Sequence, residues 1–134
     1  MNKAKNTAVT ISSELPSLAA FIEGMLLANY LFLKYYSDKK ANTLKTVKVV
    51  GALSKSNLEE IEAIVTGTNY AKDLVNEPQS YLTATQIAKE IKRLGKEAGF
   101  KVEVFNKAKI KALKMGGLLA VNQGSIEPPT FSIL

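Results

Sequence analysis

Residues 69–78 read NYAKDLVNEP, and they raise the question whether this stretch is part of an active site or a joint between two bodies. Apolar and polar residues recur at helical spacing up to Asn76, and Pro78 disfavours helical backbone in the residue before it. The stretch therefore predicts the end of a helix. We expect Lys72 and Asp73 to cap and orient that end, with a catalytic role for Asp73 as the alternative.

A helix of about 20 residues is predicted to lead into this stretch; it would be roughly 30 Å long, which suits a connector. Ser56 and Glu59 fit a capping box, in which the serine oxygen and the glutamate bind free amide groups at the helix start. Glu59, Glu60 and Glu62 sit on different helix faces, so they predict solvated charges, with a hard-cation site as the alternative. The predicted buried face contains Leu58, Ile61, Ile64, Val65, Ala71, Leu74 and Val75.

The residues before this helix predict a strand, a helix and a second strand. Residues 7–11 are rich in β-branched side chains, and residues 46–51 repeat that pattern before Gly51. Apolar residues at three-and-four spacing predict a helix over residues 16–35. The residues expected to begin it are Ser12 or Ser13 as the cap and Pro16 in the first turn.

One segment of that helix is apolar enough to require a membrane test. Residues 15–33 are long enough to span a bilayer, but Glu23 lies at their centre. A central carboxylate costs about 2.5–3.5 kcal/mol on insertion. We therefore expect a soluble, mostly buried helix and a cytoplasmic protein.

Beyond Pro78, helices and strands are predicted to alternate. Thr83 and Gln86 form a second capping box, and Gly99 stands where a helix C-cap glycine belongs. A strand over residues 101–105 follows, and Asn106 can cap a short helix that ends at Lys114. The inward residues are expected to be Ile87, Ile91, Leu94 and Ala98 on the first helix and Ile110 and Leu113 on the second.

The end of the sequence predicts more strands. Gly116 and Gly117 are expected to break the short helix, and the all-apolar residues 118–121 predict a strand buried on both faces. Another strand is predicted to begin at Thr130. This alternation is typical of the opening of a parallel α/β sheet, so we expect an α/β fold and a chain that is a portion of something longer.

Composition limits the chemistry that the chain could perform. Its 134 residues contain no cysteine and no histidine, which excludes disulfides, thiolate metal sites and the commonest general base. No glycine-rich loop joins a strand to a helix, so a nucleotide site is not expected. Any catalysis within the chain would have to use carboxylates, lysines or hydroxyls.

The positive charge is concentrated in residues 89–114, which we call the basic block. It holds nine bases and three acids, and its excess of six positive charges equals the formal net charge of the whole chain. On the helix after Thr83, Lys89, Lys92, Arg93 and Lys96 are predicted to face away from the apolar stripe, which is typical of a solvated face. A nucleic-acid surface is the alternative, although no aromatic platform for stacking lies among these bases.

Three segments of the sequence resemble the leucyl aminopeptidase (cytosol aminopeptidase) family. Residues 69–78 are similar to its pattern N-x-A-R-D-L-V-N-x-P, with Lys72 in place of arginine, and YLTATQIAKEI is similar to its L-T-P segment, with Ala84 in place of proline. The run MGGLLAVNQGSIEPP matches M-G-x-L-L-A-V-x-x-G-S-x-x-P-P in order and spacing. Residues 20–36 also resemble the family's A-x-G-x-x-L-x-x-Y-x-F-x-x-Y helix.

This resemblance implies a hexameric, metal-dependent aminopeptidase that removes N-terminal residues from peptides. In that family two divalent metals, Zn or Mn, are bound by a lysine, aspartates and a glutamate that lie downstream of the strand beginning at Thr130. None of those ligands can be carried over to this chain, so no catalytic, cofactor-binding or metal-binding residue is predicted here. We expect this portion by itself to bind no catalytic metal and to hydrolyse nothing.

The resemblance also implies a domain division. Residues 1–56 would be the C-terminal part of an N-terminal α/β domain, residues 57–78 the connecting helix, and residues 79–134 the start of the catalytic domain. Two other functions stay open: a non-catalytic module that binds nucleic acid through the basic block, and an assembly element that only oligomerises.

Overall fold

The computed structural model describes residues 8–13, 17–51 and 53–134. The chain divides into two compact units, Met1–Asn76 and Glu77–Leu134. Helices and short strands are mixed in both, which confirms the α/β class. None of the helices in the described ranges is both long and apolar enough to cross a membrane.

The described residues of the first unit form a two-stranded parallel sheet and two helices. Strand β1 (Ala8–Ser13) pairs with β2 (Thr46–Gly51), with Ala8 opposite Thr46 at one end and Ser13 opposite Gly51 at the other. The helices are α1 (Leu18–Ala28) and α2 (Lys55–Asn76). Its core is formed by Leu18, Ile22, Ile61 and Val65, with Ile11, Ala19, Leu26, Leu27, Val49 and Leu53 packed against them.

Helix α1 is shorter than the predicted span of residues 16–35. It ends at Ala28, and Asn29 holds the turn: its side chain donates to the Leu44 carbonyl at 3.1 Å, and its own carbonyl accepts from Asn42 Nδ2 at 3.0 Å. Asn29 therefore redirects the chain, although the apolar run continues through Leu33. Apolar periodicity alone therefore predicted a helix that is longer than the observed one.

Both helix starts in this unit differ from the prediction. Ser12 and Ser13 belong to β1, and α1 instead begins after Ser17, whose side chain makes no capping bond. Pro16 lies outside the described residues. At α2 the cap is Ser54, because the Asn57 amide donates to Ser54 Oγ at 3.1 Å. The helix begins at Lys55, so the predicted cap Ser56 is its second residue.

The second unit contains four helical segments and a two-stranded antiparallel sheet. The longest helix is α3 (Ala84–Ala98), and the sheet pairs β3 (Glu103–Phe105) with β4 (Phe131–Ile133). The predicted parallel sheet is therefore wrong for these two strands, because 25 residues of helix and loop between them return the chain in the opposite direction. The remaining segments are α4 (Lys107–Ala112), α5 (Gly116–Val121) and the 3-10 turn Asn122–Gly124.

Local caps were predicted correctly in this unit, except for the second half of the capping box: the Thr83 amide donates to the Tyr81 carbonyl, and the Gln86 side chain donates to Glu90 Oε1 at 3.1 Å. Thr83 Oγ1 accepts from the Gln86 amide at 3.3 Å, and Asn106 Oδ1 accepts from the Lys109 amide at 3.0 Å. Gly99 ends α3 in the left-handed conformation with φ 78°, which glycine adopts without steric cost. These contacts fix the ends of α3 and the start of α4.

The buried face of α3 is narrower than its apolar stripe predicts. Ala88 and Gly95 are buried, whereas Ile87 is 40% exposed and Ala98 lies at the surface. On α4, Ile110 is fully buried, but Leu113 is 51% exposed. The core of this unit is therefore formed where small residues of α3 allow close approach, as well as by the large side chain of Ile110.

The predicted strand over residues 118–121 is wrong. These residues form the second half of α5, and the Leu119 amide donates to the Met115 carbonyl at 3.2 Å. Gly116 and Gly117, expected to break a helix, begin this one. Leu118 and Leu119 are half-buried while Ala120 and Val121 are exposed, so the run is one-sided. A short apolar run does not distinguish a strand from a helix by itself.

Candidate functional site

The polar residues of the stretch NYAKDLVN meet the chain that follows α1, and we call Tyr30, Lys72, Asp73 and Asn76 the tyrosine cluster. The Tyr30 hydroxyl donates to Asp73 Oδ1 at 2.8 Å and accepts from Asn76 Nδ2 at 3.1 Å. The Lys72 ammonium lies 5.1 Å from the centre of the Tyr30 ring and donates to the Leu27 carbonyl at 3.5 Å. The cluster thus fastens the last turns of α2 to the end of α1.

The electrostatics of the cluster favour a neutral phenol. Two effects raise the pKa of Tyr30 from its ordinary value of 10.0: the larger is the removal of the hydroxyl from water, and the next is the hydrogen bond that it donates to the Asp73 carboxylate. The hydrogen bond from Asn76 lowers the pKa, but its effect is smaller. Tyr30 is therefore a hydrogen-bond donor at neutral pH rather than a nucleophile or a base.

The structure places Lys72 and Asp73 as orienting residues, and it adds a partner that the local sequence did not indicate. The side chain that joins them is Tyr30, which lies 43 residues from Asp73 and outside α2. Helical periodicity carries no information about contacts at that separation. The one signal that could have found Tyr30 is the family resemblance over residues 20–36, which includes it.

Replacing Tyr30 by Phe is expected to reduce the alkaline loss of stability. A phenol whose pKa is raised in the folded state contributes stability that is complete below its unfolded pKa and is lost as pH rises through the folded pKa. As pH rises above about 10, the unfolded pKa of a tyrosine, the melting temperature of the parent chain should therefore fall more steeply than that of Tyr30→Phe, whereas the two curves should run parallel below about pH 9.

The control is Tyr36→Phe, since that tyrosine is 63% exposed and lies in the same segment. Its melting temperature should follow the parent curve across the same pH range. If Tyr30→Phe gave the same pH profile as the parent chain, or if Tyr36→Phe changed the profile equally, the role assigned to the Tyr30 hydroxyl would be wrong.

The acidic residues do not form a metal centre in the described ranges. Residues 8–13, 17–51 and 53–134 contain no group of three or more His, Cys, Asp or Glu side chains placed to hold a metal ion. Glu59 instead pairs with Lys55 at 3.6 Å across an exposed turn of α2. Glu59, Glu60 and Glu62 are all exposed, which confirms that they are solvated charges.

A cavity of about 380 Å³ lies in the second unit, between α3, the end of β3 and the approach to β4; we call it the lysine pocket. Three of its lining residues are lysines of the basic block, Lys89 and Lys92 on α3 and Lys107 at the start of α4. Apolar lining comes from Ala88, Val104 and Pro129.

The loop NQGSIEPP, which ends the family-like run MGGLLAVNQGSIEPP, is held by its own side chains. Asn122 Nδ2 donates to the Glu127 carbonyl at 2.9 Å, and Ser125 Oγ accepts from the Glu127 amide at 3.1 Å. Thr130 Oγ1 then donates to the Ala84 carbonyl at 3.0 Å, which joins the start of β4 to the start of α3. The motif NQGSIEPP therefore positions one wall of the lysine pocket.

Comparison with known sequences gives two findings. The family model described as "Cytosol aminopeptidase family, catalytic domain" matches residues 69–134. A protein of Chlorobium limicola named "Probable cytosol aminopeptidase" is 39% identical over 147 residues, which cover 99% of this chain and 28% of that protein.

Two solved structures are similar to this fold. The bottromycin maturation enzyme BotP in complex with Mn has a TM-score of 0.82 and 29% identity, over 96% of this chain and 29% of that one. A mutant of tomato leucine aminopeptidase has a TM-score of 0.86 over the same shares, and its 22% identity shows the fold alone. The chain thus spans less than a third of the length of each of these relatives.

Proposed function

Because this chain belongs to the cytosol aminopeptidase family, we propose that it is a portion of a metal-dependent aminopeptidase that removes N-terminal residues from peptides. The observation that carries the proposal is the match of residues 69–134 to the family's catalytic domain. The motifs NYAKDLVNEP and MGGLLAVNQGSIEPP lie within that match. Their order and spacing make the assignment specific.

We infer that the metals of the enzyme are divalent, with manganese or zinc as the candidates and two ions at each site. Manganese is supported by the name of the BotP complex, which contains Mn. In the family pattern the metal ligands follow the strand that begins at Thr130, so this chain would supply structure around the site and no ligand to it. Two metal ions in such a site polarise the peptide carbonyl and activate the attacking water.

The role proposed for this chain is therefore positional. We infer the division into residues 1–56, 57–78 and 79–134, with α2 as the connecting helix. The tyrosine cluster supports this role, because it fixes the end of α2 immediately before Pro78. A cytoplasmic location and a hexamer belong to the same proposal, and the relatives named cytosol aminopeptidases support the location.

The experiment compares the 134-residue chain with the longest protein that contains it. Each is incubated with Mn²⁺ or Zn²⁺, and release of p-nitroaniline from leucine p-nitroanilide is followed while bound metal is counted after dialysis. We expect turnover and about two metal ions per chain from the longer protein only, with turnover abolished by a chelator.

Two results would contradict the proposal. A longer protein that binds metal but cleaves no aminoacyl anilide or peptide would remove the aminopeptidase assignment. Turnover by the 134-residue chain, with about two bound ions, would instead show that the ligand set lies within it and that its proposed positional role is wrong.

A further inference from the structure

We propose that the lysine pocket is a binding site for a small organic anion, one with a phosphate or carboxylate head on a compact apolar body. This inference goes beyond the proposed peptidase activity and does not depend on it. Every described residue that lines the cavity lies within the unit Glu77–Leu134.

The first argument is the charge that surrounds the cavity. Lys89 and Lys92 are three residues apart on α3, so they are neighbours on one helix surface, and Lys107 approaches from α4. Among the described residues that line the cavity, none is a carboxylate. Like charges at this spacing repel one another, and an anion placed among them would relieve that repulsion.

The second argument is that the acids of the basic block are already engaged elsewhere. Arg93 binds Glu90 at 3.0 Å and Glu97 at 2.7 Å on the same helix. Lys109 binds Glu103 at 3.3 Å. These are the three acids of the block, and each of them pairs with a base that does not line the pocket. The negative charge of the block is therefore directed towards Arg93 and Lys109.

The third argument is the chemistry of the remaining lining. Ala88 is only 5% exposed, Pro129 is buried and Val104 is half-buried, so the wall behind the lysines is apolar. Asn106 uses Oδ1 to cap α4, which leaves its Nδ2 able to donate a hydrogen bond to a ligand. A ligand that satisfies this lining needs an apolar body as well as a charged head.

Size and shape favour a small molecule over a nucleic acid. A volume of about 380 Å³ lies near the lower end of the range of about 300–1,000 Å³ for small-molecule sites. The lining found in residues 85–130 of the structure includes no aromatic side chain, and single strands are commonly held by stacking their bases on such side chains. The geometry thus fits one compact ligand better than a strand.

The test titrates the isotopically labelled chain with phenyl phosphate and with benzoate, followed by backbone amide chemical shifts. Phenol serves as the neutral analogue of both. We expect saturable shifts at residues of the pocket, tighter binding of the doubly charged phosphate than of benzoate, and no saturation with phenol. Added salt should weaken binding, because the attraction is between charges.

Matched variants separate the pocket from the general charge of the block. In the pocket variant, Lys89, Lys92 and Lys107 are all changed to Gln; in the control variant, the exposed Lys96, Lys101 and Lys111 are changed to Gln. Both lose the same charge from the same block. We expect the pocket variant to raise the Kd for phenyl phosphate by about tenfold or more and the control variant by about twofold or less.

Three outcomes would overturn the proposal. Equal weakening by the two variants would show diffuse attraction with no site. Absence of saturation at millimolar phenyl phosphate, in variants whose amide spectra match the parent, would show that no small anion binds. A single-stranded oligonucleotide that binds more tightly than phenyl phosphate, and is weakened equally by both variants, would assign the whole basic block to nucleic acid.

Discussion

Replacing Ile110 by Ala is expected to lower the free energy of unfolding of the unit Glu77–Leu134 by about 2–5 kcal/mol. Ile110 is the one large side chain in the described residues that is fully buried, with 0% exposure. Its loss would remove buried methyl and methylene groups and leave a cavity beside α4. A unit of this size has a small core, so one such change is a large part of its stability.

The measurement is denaturant unfolding followed by amide signals of α3 and β3, which report on this unit alone. Leu113→Ala is the matched control: Leu113 directly follows α4 and is 51% exposed, so its truncation should cost about 1 kcal/mol or less. Equal losses from Ile110→Ala and Leu113→Ala would mean that Ile110 is not the centre of this core.

Replacing Gly95 by Ala is expected to destabilise the same unit by about 1–3 kcal/mol, although alanine favours helices elsewhere. A Cβ atom at this position would lie 2.5 Å from Val102 Cγ2 and 2.9 Å from the Phe100 carbonyl oxygen. The second clash is with backbone that cannot rotate away, and the Phe100 amide is itself bonded to the Gly95 carbonyl at 3.0 Å. The end of α3 would therefore have to separate from Phe100 and Val102, which lead into β3.

Gly67→Ala provides a control of opposite sign. Gly67 lies inside α2, and nothing is within 4 Å of where its Cβ would be, so the substitution should stabilise the helix by about 0.5–1 kcal/mol. The two variants are compared by thermal unfolding, with amide exchange in α2 and α3 to assign each change to its unit. A stabilising effect of Gly95→Ala would show that the end of α3 is packed less closely against Phe100 and Val102 than the Cβ distances at Gly95 indicate.

Local signals in the sequence predicted much of the second unit. Three helix ends were predicted: the caps at Thr83 and Asn106 and the left-handed Gly99. Each of them depends only on residues within four positions along the chain. The end of α1 was not, since Asn29 stops that helix through partners at Leu44 and Asn42, more than ten residues away. Long-range contacts override propensity at such a position.

The same distinction explains the site. The family motifs could be recognised from the sequence, but the contact between Tyr30 and Asp73 spans 43 residues and has no periodic signature. The basic block was predicted as a solvated face, and Arg93 and Lys109 fit that prediction with exposed ion pairs. The convergence of Lys89, Lys92 and Lys107 could not be predicted, because it depends on the tertiary arrangement of α3, β3 and the start of α4.

The lysine pocket has a consequence for proton linkage. The chain contains no histidine, the side chain whose ordinary pKa lies closest to physiological pH. No histidine is therefore available in the pocket to change its charge between pH 5 and pH 8. A phosphate monoester, however, loses its second proton with a pKa of about 6. Any pH dependence of binding in that range would thus follow the ionisation of the ligand, and it would disappear when a fully ionised carboxylate takes its place.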